Sequence, residues 1–388
     1  MQNKIQLILI FLVTLLFQGC IDEYQPKLDG YTKLLVVDGG FYDGDNLCEI
    51  RLSYSSDVYT PKPDPISGAQ VIILDNFGNE EQLFEVTKGS YQTSGHDLVG
   101  IPGRSYKLIV ELPDGKRFES GFEKLRPRVP IESITYRAEI HDDQRYTHPL
   151  EGYQFYLNTS LPNDTNNFYL WRMVKTYGCH SEFLADAFYN GRVRPFPKPD
   201  SFLICWKTEN VKKIISLNTK EIANPDMKNF PLNFVNTQER DLAIRYTQLT
   251  EQLTVNEDAF NYDKLIGEGN GEQGSLYAHQ PFQIRGNITN VNEPDKPVLG
   301  YFLVAGRSSQ RLFAPPPAVN YYYYVFVLTA SDYEDFGRAL KGSSPSLRPI
   351  YLTRGGDPLG GLAWPAQECI DCRKRGGTLT KPSFWDVK

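Results

Sequence analysis

Ser105-Tyr106-Lys107-Leu108-Ile109-Val110-Glu111, followed by Pro113-Asp114-Gly115 and then Arg117-Phe118-Glu119, is the stretch that decides the fold. The first run alternates with a period of two, as a strand does. Proline presets φ and glycine accepts a positive φ, so Pro113-Asp114-Gly115 reads as a tight turn after which Arg117-Phe118-Glu119 runs back along the first strand. Upstream the same grammar repeats. Leu34-Leu35-Val36-Val37 and Cys48-Glu49-Ile50-Arg51-Leu52 are strands, and Ala69-Gln70-Val71-Ile72-Ile73-Leu74 runs into the turn Asp75-Asn76-Phe77-Gly78-Asn79. Strands and turns this closely spaced from Leu34 to Glu119 predict an immunoglobulin-like or transthyretin-like β-sandwich.

Lys124-Leu125-Arg126-Pro127-Arg128-Val129-Pro130, basic and carrying two prolines, is the expected boundary, giving a sandwich domain over 31–127 and a larger β-rich domain over 128–388. In the second part the strands are longer and more aromatic: Gly152–Leu157, Phe168–Met173, Tyr301–Val304 and Tyr322–Val327. Two helices are expected within it. Ser331-Asp332-Tyr333-Glu334 is a capping box, with Tyr333, Phe336 and Leu340 on one face and Gly342 as the stop. Asn256 to Glu268 carries Ala259, Tyr262 and Ile266 on one stripe. The composition agrees with a mainly β protein, since 24 Tyr, 22 Phe, 31 Gly and 26 Pro suit short strands joined by turns.

The beginning of the chain is of a different kind. Ile5 to Phe17 is an apolar run after Lys4, shorter than the roughly 20 residues a spanning helix needs but suited to a signal-peptide core. It ends at Gly19-Cys20, the junction that lipoprotein processing uses. We therefore expect 1–19 to be a signal peptide, Cys20 to be lipidated, and 20–30 to be a tether from a membrane held by acyl chains. Asp22 and Glu23 place two acidic residues after the cysteine, a start similar to the surface-export signal of Bacteroidota lipoproteins. With a net charge of -6 and no basic block, nucleic acid is not an expected partner.

Apart from Cys20, five cysteines remain: Cys48, Cys179, Cys205, Cys369 and Cys372. Alternation puts Cys48 on the same strand face as Ile50 and Leu52, the position of a small core residue. That leaves Cys179 with Cys205 and Cys369 with Cys372 as expected disulfides, which suits an exported chain. A four-cysteine zinc site is the rival, weakened because such sites usually draw on two tight pairs.

Gly269-Asn270-Gly271-Glu272-Gln273-Gly274 matches G-x-G-x-x-G, yet a helix precedes it where the dinucleotide fingerprint needs a strand, so it reads as a loop. His141-Asp142-Asp143 with His148 offers imidazole and carboxylate to a metal, but no ordered element fixes them and a solvated loop is the expectation. No G-x-S-x-G elbow, H-E-x-x-H helix or Walker loop is present. No catalytic residue, metal or cofactor is therefore assigned, and the chain is not expected to be an enzyme. Tyr321 to Tyr324 and Trp171, Trp206, Trp364 and Trp385 could stack on sugars, although half of any alternating run points into a core. The loop between Cys179 and Cys205 is the better partner candidate. Prolines keep Arg192-Val193-Arg194-Pro195-Phe196-Pro197-Lys198-Pro199 extended, and a disulfide would fix its ends. Arg192, Arg194 and Phe196 are its expected contact residues.

Leu253-Thr254-Val255 before a tyrosine-containing helix, then Gly274-Ser275-Leu276-Tyr277, Ile284-Arg285-Gly286-Asn287-Ile288 and Val298-Leu299-Gly300-Tyr301-Phe302, come in an order that resembles a Bacteroidota lipoprotein family, domain of unknown function 4249. The tail Cys369-Ile370-Asp371-Cys372-Arg373, Gly376-Gly377-Thr378 and Lys381-Pro382-Ser383-Phe384-Trp385 is similar to that family's ending. The resemblance implies an outer-membrane lipoprotein, often encoded beside a TonB-dependent receptor, and it carries no catalytic residues. The functional expectation is an accessory subunit of a TonB-dependent transporter in nutrient uptake, on the cell surface. The alternative is a stand-alone glycan-binding or adhesive surface protein.

Overall fold

In the computed structural model, residues 33–44, 47–56, 62, 64–162, 167–213, 215–221, 226–271, 284–329, 332, 336–355 and 361–386 are described. The strands of the first part are β1 (Leu35–Tyr42), β2 (Glu49–Tyr54), β3 (Asp64–Pro65), β4 (Gln70–Asp75), β5 (Glu80–Gln82), β6 (Phe84–Thr87), β7 (Ser90–Gln92), β8 (Ser105–Glu111), β9 (Arg117–Ser120) and β10 (Glu123–Lys124). After the proline-bearing boundary come β11 (Ser133–His141), β12 (Leu150–Ser160), β13 (Phe168–His180), β14 (Ala187–Tyr189), β15 (Val193–Pro195), β16 (Ile204–Asn210), β17 (Ile215–Asn218), β18 (Asp226–Asn236) and β19 (Tyr246–Val255). Helix α1 (Glu257–Gly271) follows, then β20 (Ile288–Asn290), β21 (Leu299–Ala314), helix α2 (Phe336–Gly342), β22 (Ile350–Arg354) and β23 (Leu362–Ala363). The protein is mainly β, as its sequence predicts.

The deciding stretch forms the expected hairpin. β8 pairs antiparallel with β9 through Ile109–Glu119 and Val110–Phe118, and the Leu112 N–H donates to the Lys116 carbonyl across the turn. Tyr106, Leu108 and Val110 are fully buried. They face Val37, Phe41, Ile50, Leu52 and Tyr91 of the neighbouring sheet in one apolar core, so two sheets enclose the first sandwich. Cys48 sits in that core, as the alternation implies, and is in no disulfide.

Two later segments complete this sandwich. β20 pairs with β9, and β21 pairs parallel with β1 from Val36–Leu299 to Tyr42–Ala305. Ile288, Val298, Phe302 and Val304 enter the first core. The β1–β21 joint makes one sheet, ordered β16-β13-β19-β21-β1-β2-β7-β6, continuous across the segment Lys124–Pro130. Gly300, at φ +92°, makes the joint possible, because a Cβ there would collide with the Val37 carbonyl.

In the second part, β11-β12-β18 covers the face of β13 and β19, and Phe155, Leu157, Trp171, Met173, Leu232 and Tyr246 fill the space between. α1 packs Ala259 and Phe260 against Phe168, Leu170 and Leu253. A four-stranded sheet, β15-β14-β22-β23, sits at the carboxyl end with Leu340 of α2 buried beneath it. The capping box before α2 lies largely outside the described residues, as do Cys20 and its surroundings.

Two expectations are corrected. The disulfide joins Cys205 to Cys372, 167 positions apart, while Cys179 and Cys369 carry thiols in this structure. Cys179 and Cys205 do lie directly opposite on β13 and β16. The carboxyl-terminal tail folds back over that face, held by the paired backbone bonds of Trp206 and Thr378, and delivers Cys372 to Cys205. Sequence spacing holds no record of so distant a return. The second correction is Tyr322–Val327, which is outside any strand.

Candidate functional site

The sequence-selected residues do not converge on one centre. His141 stacks on Phe234 at 4.0 Å and bonds Glu139 at 3.0 Å, while Asp143 is taken by Arg145, whose guanidinium holds its carboxyl at about 2. His148 instead stacks on Tyr322 at 3.8 Å. Among the described residues no His, Cys, Asp and Glu group could hold a metal ion. The G-x-G-x-x-G match begins in the last turn of α1 and runs out of the described residues. Trp171 and Trp385 are buried, and Trp206 packs edge-on against Trp385.

Arg192 and Arg194 are exposed on the β14–β15 hairpin, as a contact surface requires. Phe196 is not. Its ring packs against Phe188, Phe202 and Tyr351 at 6.0, 5.1 and 5.5 Å, so it anchors the hairpin to β22 and to the turn before β16. The hairpin's ends are fixed by the β13–β16 ladder and by Cys205–Cys372, not by the expected Cys179–Cys205 bond.

Beside this hairpin the structure builds a feature that strand-by-strand reading misses. Glu182, almost fully buried, receives Arg240 at 2.5 Å and Arg375 at 2.7 Å. Burial alone would raise its carboxyl; Arg375 and Arg240 overcome this and hold it below the ordinary carboxylate range. Arg240 also donates to the Tyr324 carbonyl at 2.6 Å and lies over the Tyr323 ring at 4.7 Å, and Phe326 meets Phe183 edge-on. These contacts hold Tyr321–Thr329 as an irregular ribbon after the prolines that follow β21. Between its anchors the ribbon is bare: Tyr324 is 73% exposed, Val325 56% and Val327 63%, with Leu184 of the underlying loop at 40%. Scattered exposed aliphatics need no explanation, whereas a row of neighbours such as Tyr324, Val325 and Val327 stands out from the rest of the surface. The sequence signal was present in Tyr321-Tyr322-Tyr323-Tyr324-Val325-Phe326-Val327, a run without polar alternation.

A groove of ≈ 650 Å³ lies on the continuous sheet, between β2, β1, β13 and α1. Its charges pair with one another: Arg172 with Asp263 at 3.0 Å, Arg307 with Glu251 at 3.6 Å and Arg51 with Asp38 at 3.3 Å. Arg307 also stacks on Tyr42 at 4.2 Å, and burial pushes the Tyr42 hydroxyl up to about 12. These contacts tie β13 to α1, β19 to β21, β21 to β1 and β1 to β2.

Fold and exposed face together define a multi-sheet β scaffold with a bare apolar ribbon at its carboxyl end. More particularly, the chain belongs to the family described as Domain of unknown function (DUF4249), whose match covers residues 21–311. The match ends within β21, so the ribbon, the β14–β22 partner strand and the cysteine-bearing tail lie beyond it or only partly within it. No curated protein matches the chain.

Proposed function

We propose that this protein is an outer-membrane lipoprotein, anchored through Cys20 and facing the cell surface, that acts as the accessory subunit of a TonB-dependent transporter in nutrient uptake. The observation that carries the reading is the Tyr324–Val327 ribbon, apolar and exposed, on a scaffold whose neighbouring charges are spent on holding it. A row of bare apolar side chains on the surface suits contact with a large partner better than capture of a small solute in a cavity. The lipoprotein junction at Gly19-Cys20 and the acidic residues after it supply the address. Arg192 and Arg194 extend the contact surface, because arginine anchors tend to carry interface energy.

Affinity purification of the tagged protein from gently solubilised outer membranes should recover one large barrel. Replacing Tyr324, Val325 and Val327 together by Ser should weaken that recovery at least as much as replacing Arg192 and Arg194 by Ala. Cys20→Ser should leave a protein that no longer partitions into detergent. Recovery of no barrel, together with tight binding of a glycan by the isolated protein, would replace this reading by the stand-alone glycan-binding one.

A further inference from the structure

Four cysteines converge on one end of the β13–β16 ladder, and only one bond joins them. Cys179 and Cys205 are register partners, so their side chains leave the same face of the sheet. The tail lies on that face. Cys372 reaches Cys205, with a Cα–Cα separation of 5.7 Å. Cys369, three residues earlier, lies toward the other strand: its carbonyl accepts the Phe183 N–H at 2.9 Å. Arg375 donates to the carbonyl of His180, the neighbour of Cys179, at 3.1 Å and approaches the Cys369 sulfur at 3.9 Å. The tail therefore crosses the ladder with Cys372 over Cys205 and Cys369 on the side of Cys179.

From this placement we infer that Cys179 and Cys369 close a second disulfide beside Cys205–Cys372, so that the tail is stapled to both strands of the ladder. The bond forms between the two sulfurs as each thiol loses its proton, two electrons in all. A disulfide-bearing thiol oxidant, protein-borne in an exported compartment or glutathione disulfide in solution, takes up both electrons and both protons as its own S–S bond breaks. Cys179 and Cys369 are each 3% exposed, and burial pushes the Cys369 thiol up to about 11. A buried thiol held protonated exchanges slowly at neutral pH, so the bond is best read after refolding in a redox buffer. Three-dimensional pairing of this kind could not be chosen from spacing, since both partners are separated in sequence by most of the second half of the chain.

The test is peptide mapping, without reduction, of the purified full chain refolded in a glutathione redox buffer, a measurement that does not depend on where the cell places the protein. The expected result is a linked peptide pair carrying Cys179 and Cys369, a second pair carrying Cys205 and Cys372, and alkylation of Cys48 in denaturant. Cys179→Ser should then make Cys369 fully alkylable in denaturant, and Cys369→Ser should do the same for Cys179, each with Cys205–Cys372 retained. Full alkylation of both Cys179 and Cys369 in the refolded wild-type protein, a Cys179–Cys205 link, or stoichiometric zinc at these sulfurs would overturn the inference.

Discussion

At Gly300 the polypeptide does something that no other residue type permits, since φ is +92° and a Cβ would meet the Val37 carbonyl across the parallel joint. Gly300→Ala should therefore destabilise the protein by about 2–4 kcal/mol, through strain and through the lost approach of β1 and β21. Gly78 is the control. It has φ +87° in the turn after β4 but nothing within 4 Å of the place a Cβ would occupy, so Gly78→Ala should cost only about 1 kcal/mol. Urea midpoints of the two variants would separate the effects, and equal losses would mean that the joint tolerates the methyl. In the same turn Asp75, buried, accepts from Asn79, Phe77 and Arg104. Burial raises its carboxyl, but these bonds prevail and hold it below its ordinary value. A depressed folded-state pKa gives stability that is present above the unfolded value of about 3.9 and is lost as pH falls through the folded value. The stability gap between wild type and Asp75→Asn should thus be wide at pH 7 and narrow below pH ~3, a comparison that denaturant titration at the two pH values makes directly.

Among the elements, the ribbon and the tail meet at Glu182. It joins the loop after β13 to Arg240 and, through Arg375, to the segment that bears Cys372. Glu182→Gln leaves two guanidinium groups without their shared carboxylate in a largely buried site, which should cost about 3–5 kcal/mol. Because the Glu182 pKa is lowered, that loss should be full near neutral pH and should shrink as pH falls through the folded value. Limited proteolysis after Tyr323 or Tyr324 should quicken at the same time; an unchanged cleavage rate would detach the ribbon from this network. The hairpin β8–β9, the strands β4, β12 and β13 and the existence of α1 were legible in the sequence, since each is declared by its own period. Of the stripe read on α1, however, only Ala259 is buried, beside Phe260, while Tyr262 and Ile266 stay half-exposed. Tyr322–Val327 was not legible. Its apolar run reads as a buried strand, but its backbone groups are claimed by Arg240 and Glu182, residues more than 80 positions away. The cysteine pairing failed for the same reason: Cys205 and Cys372 are joined by the path of the tail, which local pattern does not contain.

For the whole molecule, the consequence of the β1–β21 joint is that the first sandwich cannot be completed by the residues that begin it. Ile288, Val298, Phe302 and Val304 are buried in its core, and β20 caps its second sheet. Burial of one such side chain is worth about 1.5–3 kcal/mol, so the four together contribute on the order of 6–12 kcal/mol, as much as the net stability of an ordinary domain. A fragment of residues 31–127, the unit that hairpin spacing delimits, should therefore show no cooperative thermal transition and no dispersed amide spectrum. The full chain should melt with its two sandwiches coupled, and Gly300→Ala should lower both together, because the parallel joint is common to both. Circular dichroism and amide spectra of the fragment decide the matter: a sharp transition from 31–127 alone would mean that the later strands decorate a sandwich already stable, and the coupling through β21 would then lose its energetic basis.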